Sequence, residues 1–139
     1  MNLYVLDTDH LSLYQRGNPS ITSHLTQVPR QQVAMAIITA EELVRGRLAK
    51  IRAVRDEAER QLAYQQFRIT LGLIGAFQVL AYDDSASAIY ESLRQQKLRV
   101  GTQNLRIAAI TLAVGATLIT RNSGDFGQVE GLCLEDWTK

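Results

Sequence analysis

Three acidic residues follow strand-like apolar runs in this sequence and could together bind a metal ion. Asp7 comes directly after the first run, Glu42 follows the second, and Asp125 follows a later one. Carboxylates brought together repel one another strongly, and a divalent cation removes that repulsion. Mg²⁺, with Mn²⁺ as a substitute, prefers oxygen ligands, keeps several waters and binds substrate phosphate. A water bound to such an ion can serve as the nucleophile for cleavage of a phosphodiester bond.

These acids can meet only if the elements that carry them end at one edge of a sheet. The predicted strands are residues 3–6, 33–38, 78–82, 116–120 and 132–134. Between them the periodicity is helical, apart from a loop at 121–127. Strands that alternate with helices indicate an α/β fold with a mostly parallel sheet flanked by helices. In such folds ligands bind beyond the carboxyl ends of the strands.

Helix starts are predicted from side chains that can cap them. Thr8 or Asp9 is expected to cap the first helix, and Asp83 a later one, as a structural residue rather than a site acid. Thr39 and Glu42 have the spacing of a capping box, which would place Glu42 in the first turn of its helix.

Composition is that of an ordinary globular chain. The 139 residues are 46% hydrophobic and 21% charged, which suits one domain over residues 1–139. Because 15 basic residues oppose 14 acidic ones, nucleic-acid binding would have to come from local clusters. The clearest cluster is Arg45, Arg47, Lys50, Arg52 and Arg55. It is either a solvated helix face or a surface for phosphates or an acidic protein segment.

The single cysteine and the hydropathy pattern indicate a cytoplasmic protein. The chain shows neither a signal peptide nor a membrane helix, so no membrane partner is expected. Cys133 alone cannot form an internal disulfide. Its neighbours Leu132 and Leu134 predict a buried thiol that acts as a small hydrophobe.

Four segments, taken in chain order, carry the side chains that could take part in catalysis or binding. They are Leu6-Asp7-Thr8-Asp9-His10-Leu11-Ser12, Glu42-Leu43-Val44-Arg45-Gly46, Gly101-Thr102-Gln103-Asn104-Leu105-Arg106-Ile107-Ala108-Ala109 and Thr120-Arg121-Asn122-Ser123-Gly124-Asp125-Phe126. In this order and spacing the segments resemble the motifs of the PIN-domain ribonucleases, particularly the VapC-type toxins of bacterial toxin–antitoxin pairs. The resemblance implies a three-layer PIN-like domain and a Mg²⁺-dependent endoribonuclease that cuts RNA. It also implies a homodimer held inactive by a small antitoxin protein.

The resemblance assigns the metal site to Asp7, Glu42, Asn104 and Asp125. Asn104 stands where the family pattern has an aspartate. An amide keeps the shape of a carboxylate but lacks its charge, so metal affinity should drop. Two origins stay open: an inactivating change introduced so that a toxic protein can be produced, or a natural change in a weakened or redirected homologue.

Four further residues are expected to support the site. Thr120 and Asn122 would orient carboxylates or water by hydrogen bonding. Asp9 would have a secondary role at the metal, and Arg45 would contact the substrate. Asp9 also has a plain structural explanation as a helix cap.

Structural explanations exist for the acids as well. Asp7 could simply cap a helix, Glu42 could complete a capping box, and Asp125 could form an Asx turn. His10 and His24 lack the spacing of metal ligands and are interpreted as structural residues.

Asn104 leaves a second function open, namely a PIN-like protein that binds RNA or an antitoxin without cutting. A receiver-like phosphoacceptor is a third alternative, disfavoured because arginine rather than lysine follows Thr120. The apolar stretch from Phe67 to Phe77 predicts a surface that a second copy or an antitoxin covers.

Overall fold

The computed structural model describes residues 2–139 and contains a five-stranded sheet. The strands are β1 (Tyr4–Leu6), β2 (Val33–Ala36), β3 (Gln78–Leu80), β4 (Thr117–Ile119) and β5 (Cys133–Glu135). The helices are α1 (Thr8–Gln15), α2 (Pro19–Thr26), α3 (Ile37–Arg52), α4 (Glu57–Ala76), α5 (Asp84–Gln95), α6 (Thr102–Ala113) and α7 (Ser123–Phe126), with a 3₁₀ turn at Arg30–Gln32. The spatial order is β3-β2-β1-β4-β5 with parallel neighbours, which confirms the predicted α/β fold. Within the described residues no helix is long and apolar enough to cross a membrane.

Alternating side chains along the strands build a hydrophobic cluster on each face of the sheet. Val5 belongs to the cluster formed with α5 and α6, whereas Leu6 belongs to the cluster formed with α1, α2 and α3. Successive strand residues point to opposite faces, so each buried strand supplies both clusters. The result is a sheet between two helical layers. Because β1 is the central strand, Asp7, which follows it, lies at the middle of the carboxyl edge.

Helix caps agree with the sequence prediction only in part. α1 is capped by Asp7, so the prediction of Thr8 or Asp9 as its cap is wrong. Asp7 has an extended backbone, and its side chain accepts a backbone N–H of the first turn, as an N-cap does. The predicted cap of α5 by Asp83 is confirmed, since its side chain accepts the Ala86 N–H at 3.0 Å.

Three local predictions are wrong. α3 begins at Ile37 without a side-chain cap, so Thr39 forms no capping box and Glu42 lies in the second turn. The sequence predicts one strand over the apolar run 33–38, but β2 ends at Ala36 and α3 begins at Ile37. A short apolar run is compatible with a buried strand or a buried helix, and packing decides between them. The predicted loop 121–127 contains α7, and Cys133 is exposed because β5 is an edge strand.

Candidate active site

An open pocket of about 410 Å³ lies at the carboxyl edge of the sheet, where β1 and β4 end. Its lining residues are Asp7, Thr8, Asp9, Glu42, Asn104, Ile107, Arg121, Asn122 and Phe126. Three carboxylates and one guanidinium therefore line the pocket, whose formal charge is negative. A negatively charged concave site attracts cations.

Three of the four residues predicted to bind metal line this pocket: Asp7, Glu42 and Asn104. The fourth, Asp125, is half-buried on α7, and its side chain is not part of the lining. α7 begins after Asn122, whose side chain accepts the Asp125 N–H at 3.1 Å. The helical turn that replaces the predicted loop thus decides where the Asp125 carboxylate lies.

Asp7 is buried and held by the first turn of α1. Its Oδ1 accepts the His10 backbone N–H at 2.8 Å and lies 3.2 Å from His10 Nδ1. The residue belongs both to the end of β1 and to the start of α1. The positive end of a helix dipole also stabilises a negative charge at this position.

Glu42, half-buried on α3, is tied to α1 by Thr8. The Thr8 hydroxyl donates to Glu42 Oε1 at 2.6 Å and lies 3.2 Å from the hydroxyl of buried Thr39. Thr8, predicted only as a helix cap, therefore orients a pocket carboxylate. Its place in the first motif is visible in the sequence, but its pairing with a residue 34 positions away is not.

Asp9 and Arg121 form an ion pair beside these acids. Arg121 Nε lies 2.8 Å from Asp9 Oδ2, and Nη2 lies 2.9 Å from Oδ1. These hydrogen bonds and the charge of Asp9 raise the pKa of Arg121 above its ordinary value. Because both of its oxygens are engaged, Asp9 is less suited than Asp7 to coordinate a metal. Arg121 lies in the fourth motif segment, but the sequence assigned it no role in the pocket.

The other residues predicted to support the site lie in two places. The Thr120 hydroxyl accepts the Asn122 N–H at 2.9 Å, and Asn122 lines the pocket, so both shape the turn after β4. Arg45 is exposed, pairs with Glu41 on α3 and does not line the pocket. The structure therefore does not bring Arg45 to the acids.

A basic groove of about 550 Å³ adjoins the pocket and shares Thr8 and Glu42 with it. Its basic lining residues are Arg16, Arg47 and Lys50. Arg47 is held by hydrogen bonds to two side chains of α4. Basic side chains beside an acidic centre could bind the phosphates of a polyanionic strand while its reacting phosphate lies at the acids.

The donor chemistry of the pocket fits Mg²⁺ or Mn²⁺. Asp7 and Glu42 offer carboxylate oxygens and Asn104 an amide oxygen, all of them hard ligands. A different set of ligand atoms, from Asp7, Asp9 and His10, lies within 4.8 Å. His10 is unsuited to that set, because its Nδ1 contacts Asp7 and its Nε2 accepts a backbone N–H.

Known proteins of similar sequence match almost the whole chain. Ribonuclease VapC1 from Haemophilus influenzae (strain R2866) is 28% identical over 146 residues, covering 99% of each chain. The tRNA(fMet)-specific endonuclease VapC from Salmonella typhimurium is 24% identical over 139 residues, covering 96% of this chain and 97% of that one. The structure of VapBC-1 from nontypeable Haemophilus influenzae matches with a TM-score of 0.76 and 25% identity over 99% of both chains. No protein-family model matches the sequence.

Proposed function

We propose that this chain, whose resemblance to the VapC-type PIN-domain ribonucleases is confirmed over its full length, is the endoribonuclease toxin of a toxin–antitoxin pair. The observation that carries the proposal is the pocket in which Asp7, Glu42 and Asn104 meet beside a basic groove. Phosphodiester hydrolysis needs such a pairing of acids that gather a divalent cation with side chains that bind phosphates. The proposal includes a Mg²⁺ requirement, with Mn²⁺ as a substitute, and a small antitoxin as partner.

The proposed mechanism divides the work between the pocket and the groove. Asp7, Glu42 and Asn104 would hold a divalent cation, which when bound would supply an activated water and neutralise charge on the phosphate. Arg47 and Lys50 bind neighbouring phosphates and so hold the scissile bond at the acids. The pocket residues are thus assigned to cleavage of the RNA strand, and the groove residues to its binding.

Asp125 stays a predicted site acid in this scheme although it lies outside the pocket lining. The helix that carries it, α7, packs against α6, which carries Asn104. If Asp125 acts on the reaction, Asp125→Asn should lower cleavage without lowering RNA affinity. Equal cleavage by Asp125→Asn and its parent would remove it from the site.

Asn104 weakens the proposed site but keeps one oxygen that can coordinate a cation. Its amide oxygen can still coordinate, but the carboxylate charge is lost. A full charge about 2 Å from a cation favours binding by at least about a few kcal/mol even after screening. Asn104→Asp should therefore tighten Mg²⁺ binding and raise cleavage more than RNA affinity, which rests on basic side chains.

The test measures RNA cleavage by the present chain and by Asn104→Asp at a series of Mg²⁺ concentrations. Initiator tRNA is tried first, because one relative is named a tRNA(fMet)-specific endonuclease, and messenger and ribosomal RNA follow. We expect Asn104→Asp to cut at least about 10-fold faster at low Mg²⁺, and EDTA to stop cutting. Asp7→Asn should also stop RNA cleavage. Because asparagine caps a helix as well as aspartate does, this loss would come from the missing carboxylate and not from the helix. Equal rates of the two chains at low Mg²⁺ would show that residue 104 is not a ligand.

Asn104 also favours a second function, a PIN-like protein that binds RNA or its antitoxin without cutting. This function predicts RNA binding by the present chain with no cleavage at any Mg²⁺ concentration. If Asn104→Asp cleaves RNA and the present chain does not, the present chain has this binding function. Cleavage of RNA by both proteins would exclude it.

A further inference from the structure

His10 lies between the pocket and the C-terminal segment, and both of its ring nitrogens have partners. It is fully buried in the first turn of α1, three residues after Asp7. Nδ1 lies 3.2 Å from Asp7 Oδ1, and Nε2 accepts the backbone N–H of Trp137 at 3.2 Å. The proposed function assigns no role to either contact.

The two partners fix which nitrogen carries the proton. A backbone N–H can only donate, so Nε2 presents its lone pair to Trp137. In the neutral ring the proton then lies on Nδ1, where the Asp7 carboxylate accepts it. Asp136 Oδ1, at 3.6 Å from Nε2, does not compete, because it accepts hydrogen bonds from the N–H and hydroxyl of Thr138.

A proton on Nδ1 gives Asp7 a second restraint. Its Oδ1 then receives hydrogen bonds from the His10 backbone N–H, at 2.8 Å, and from the imidazole. Two donors at one oxygen limit rotation of the carboxylate and leave Oδ2 without a donor from His10. Contacts of this kind orient metal-binding side chains in proteins.

We propose that His10 is a positioning residue whose Nδ1–H holds the Asp7 carboxylate in the orientation that metal binding requires, and that the C-terminal segment sets its tautomer through Trp137. The role of Asp7 as a ligand rests on the proposed function. Trp137 is itself fixed, because its buried ring stacks on His24 with centroids 5.2 Å apart and lies 5.4 Å from Tyr4. The last residues of the chain thereby support a pocket whose lining does not include Trp137.

Two amide substitutions separate the two contacts of His10. His10→Asn places an amide near Nδ1, which keeps a donor for Asp7 and loses the acceptor for Trp137. His10→Gln places an amide near Nε2, which keeps the acceptor and loses the donor. Each substitution is made in the present chain and in Asn104→Asp. Calorimetry then measures the affinity for Mn²⁺, and thermal unfolding shows whether the variant is folded. We expect His10→Gln to weaken Mn²⁺ binding about 10-fold or more and His10→Asn to stay within about 3-fold of its parent.

The opposite order of affinities, or an equal loss in both variants, would show that His10 only anchors the C-terminal segment. If neither variant folds, ¹⁵N NMR of the labelled histidines in the intact chain decides. We expect a protonated Nδ1 and an unprotonated Nε2 for His10, and a proton on Nε2 would overturn the proposal whatever the nuclease activity. Absence of metal binding by every protein, Asn104→Asp included, would contradict the proposed function and with it the role of His10.

Discussion

At the scale of single residues, Asp7 shows that one carboxylate can cap a helix and line a pocket. Its Oδ1 accepts the His10 N–H as an N-cap does, and the same side chain lines the pocket. The cap and the site were alternative interpretations of the sequence. The fold permits both because the central strand ends and the first helix begins at this residue.

We predict that Thr8→Val lowers cleavage through Glu42. Valine has nearly the same shape but lacks the hydroxyl that donates to Glu42 at 2.6 Å. In the Asn104→Asp background, the cleavage rate at limiting Mg²⁺ should fall about 10-fold or more, and excess Mg²⁺ should restore part of it. Thr8→Ser keeps the hydroxyl and serves as the control, with a rate close to that of its parent. An unchanged Mg²⁺ dependence in Thr8→Val would contradict the orienting role.

At the scale of elements, the junctions between strands and helices place most of the pocket. Asp7, Thr8 and Asp9 form the junction of β1 with α1, whereas Arg121 and Asn122 form that of β4 with α7. Parallel strands all run in one direction, so the residues that follow them lie at the same edge of the sheet. α5 starts at a similar junction but contributes no lining residue, so its cap is a control for stability alone.

We predict that Asp83→Ala lowers the free energy of unfolding by about 1 kcal/mol, because the Ala86 N–H loses its acceptor. Denaturant unfolding measures the change. Asp83→Asn keeps an acceptor and should remain near the parent in stability. Neither variant should alter the Mg²⁺ dependence of RNA cleavage. A shift in that dependence with Asp83→Asn would mean that this acid contributes to the site after all.

At the scale of the whole molecule, α4 presents large apolar side chains to solvent. They are Leu62, Tyr64, Ile69 and Leu71, with exposed fractions of 54%, 53%, 58% and 50%. Residues seven apart share a side of the helix, which gives one pair of 62 with 69 and another of 64 with 71. Ile69 lines the basic groove, whereas Tyr64 and Leu71 form an apolar side of α4 outside that groove. Phe77, at the end of the predicted stretch, is buried.

We predict that the chain is a homodimer and that Tyr64→Lys with Leu71→Lys makes it a monomer. Two exposed lysines would place like charges in an apolar contact between copies. Light scattering should give half the mass for this double variant, and a cooperative thermal transition should show that the monomer is folded. Gln65→Lys, an exposed position on the same helix, is the control and should remain dimeric. A monomeric parent would exclude the dimer.

The sequence by itself determined the fold class and the identity of most pocket residues. Alternating apolar runs and helical segments require parallel strands with crossover helices, and the structure contains them. A carboxylate directly after a buried strand must lie at that strand's carboxyl end, so the position of Asp7 followed from local pattern. The motifs added Glu42 and Asn104, which line the same pocket.

Only the tertiary structure decided how these side chains are paired and which of the four predicted metal ligands stays outside the pocket lining. Thr8 meets Glu42, Asp9 meets Arg121, and His10 meets Trp137 across 34, 112 and 127 residues respectively. The pocket lining excludes Asp125, which a short helix rather than a loop carries. Local periodicity reports only how neighbouring residues alternate between core and solvent. Contacts between distant residues depend on how whole elements pack, because packing sets the distance and direction of each side chain.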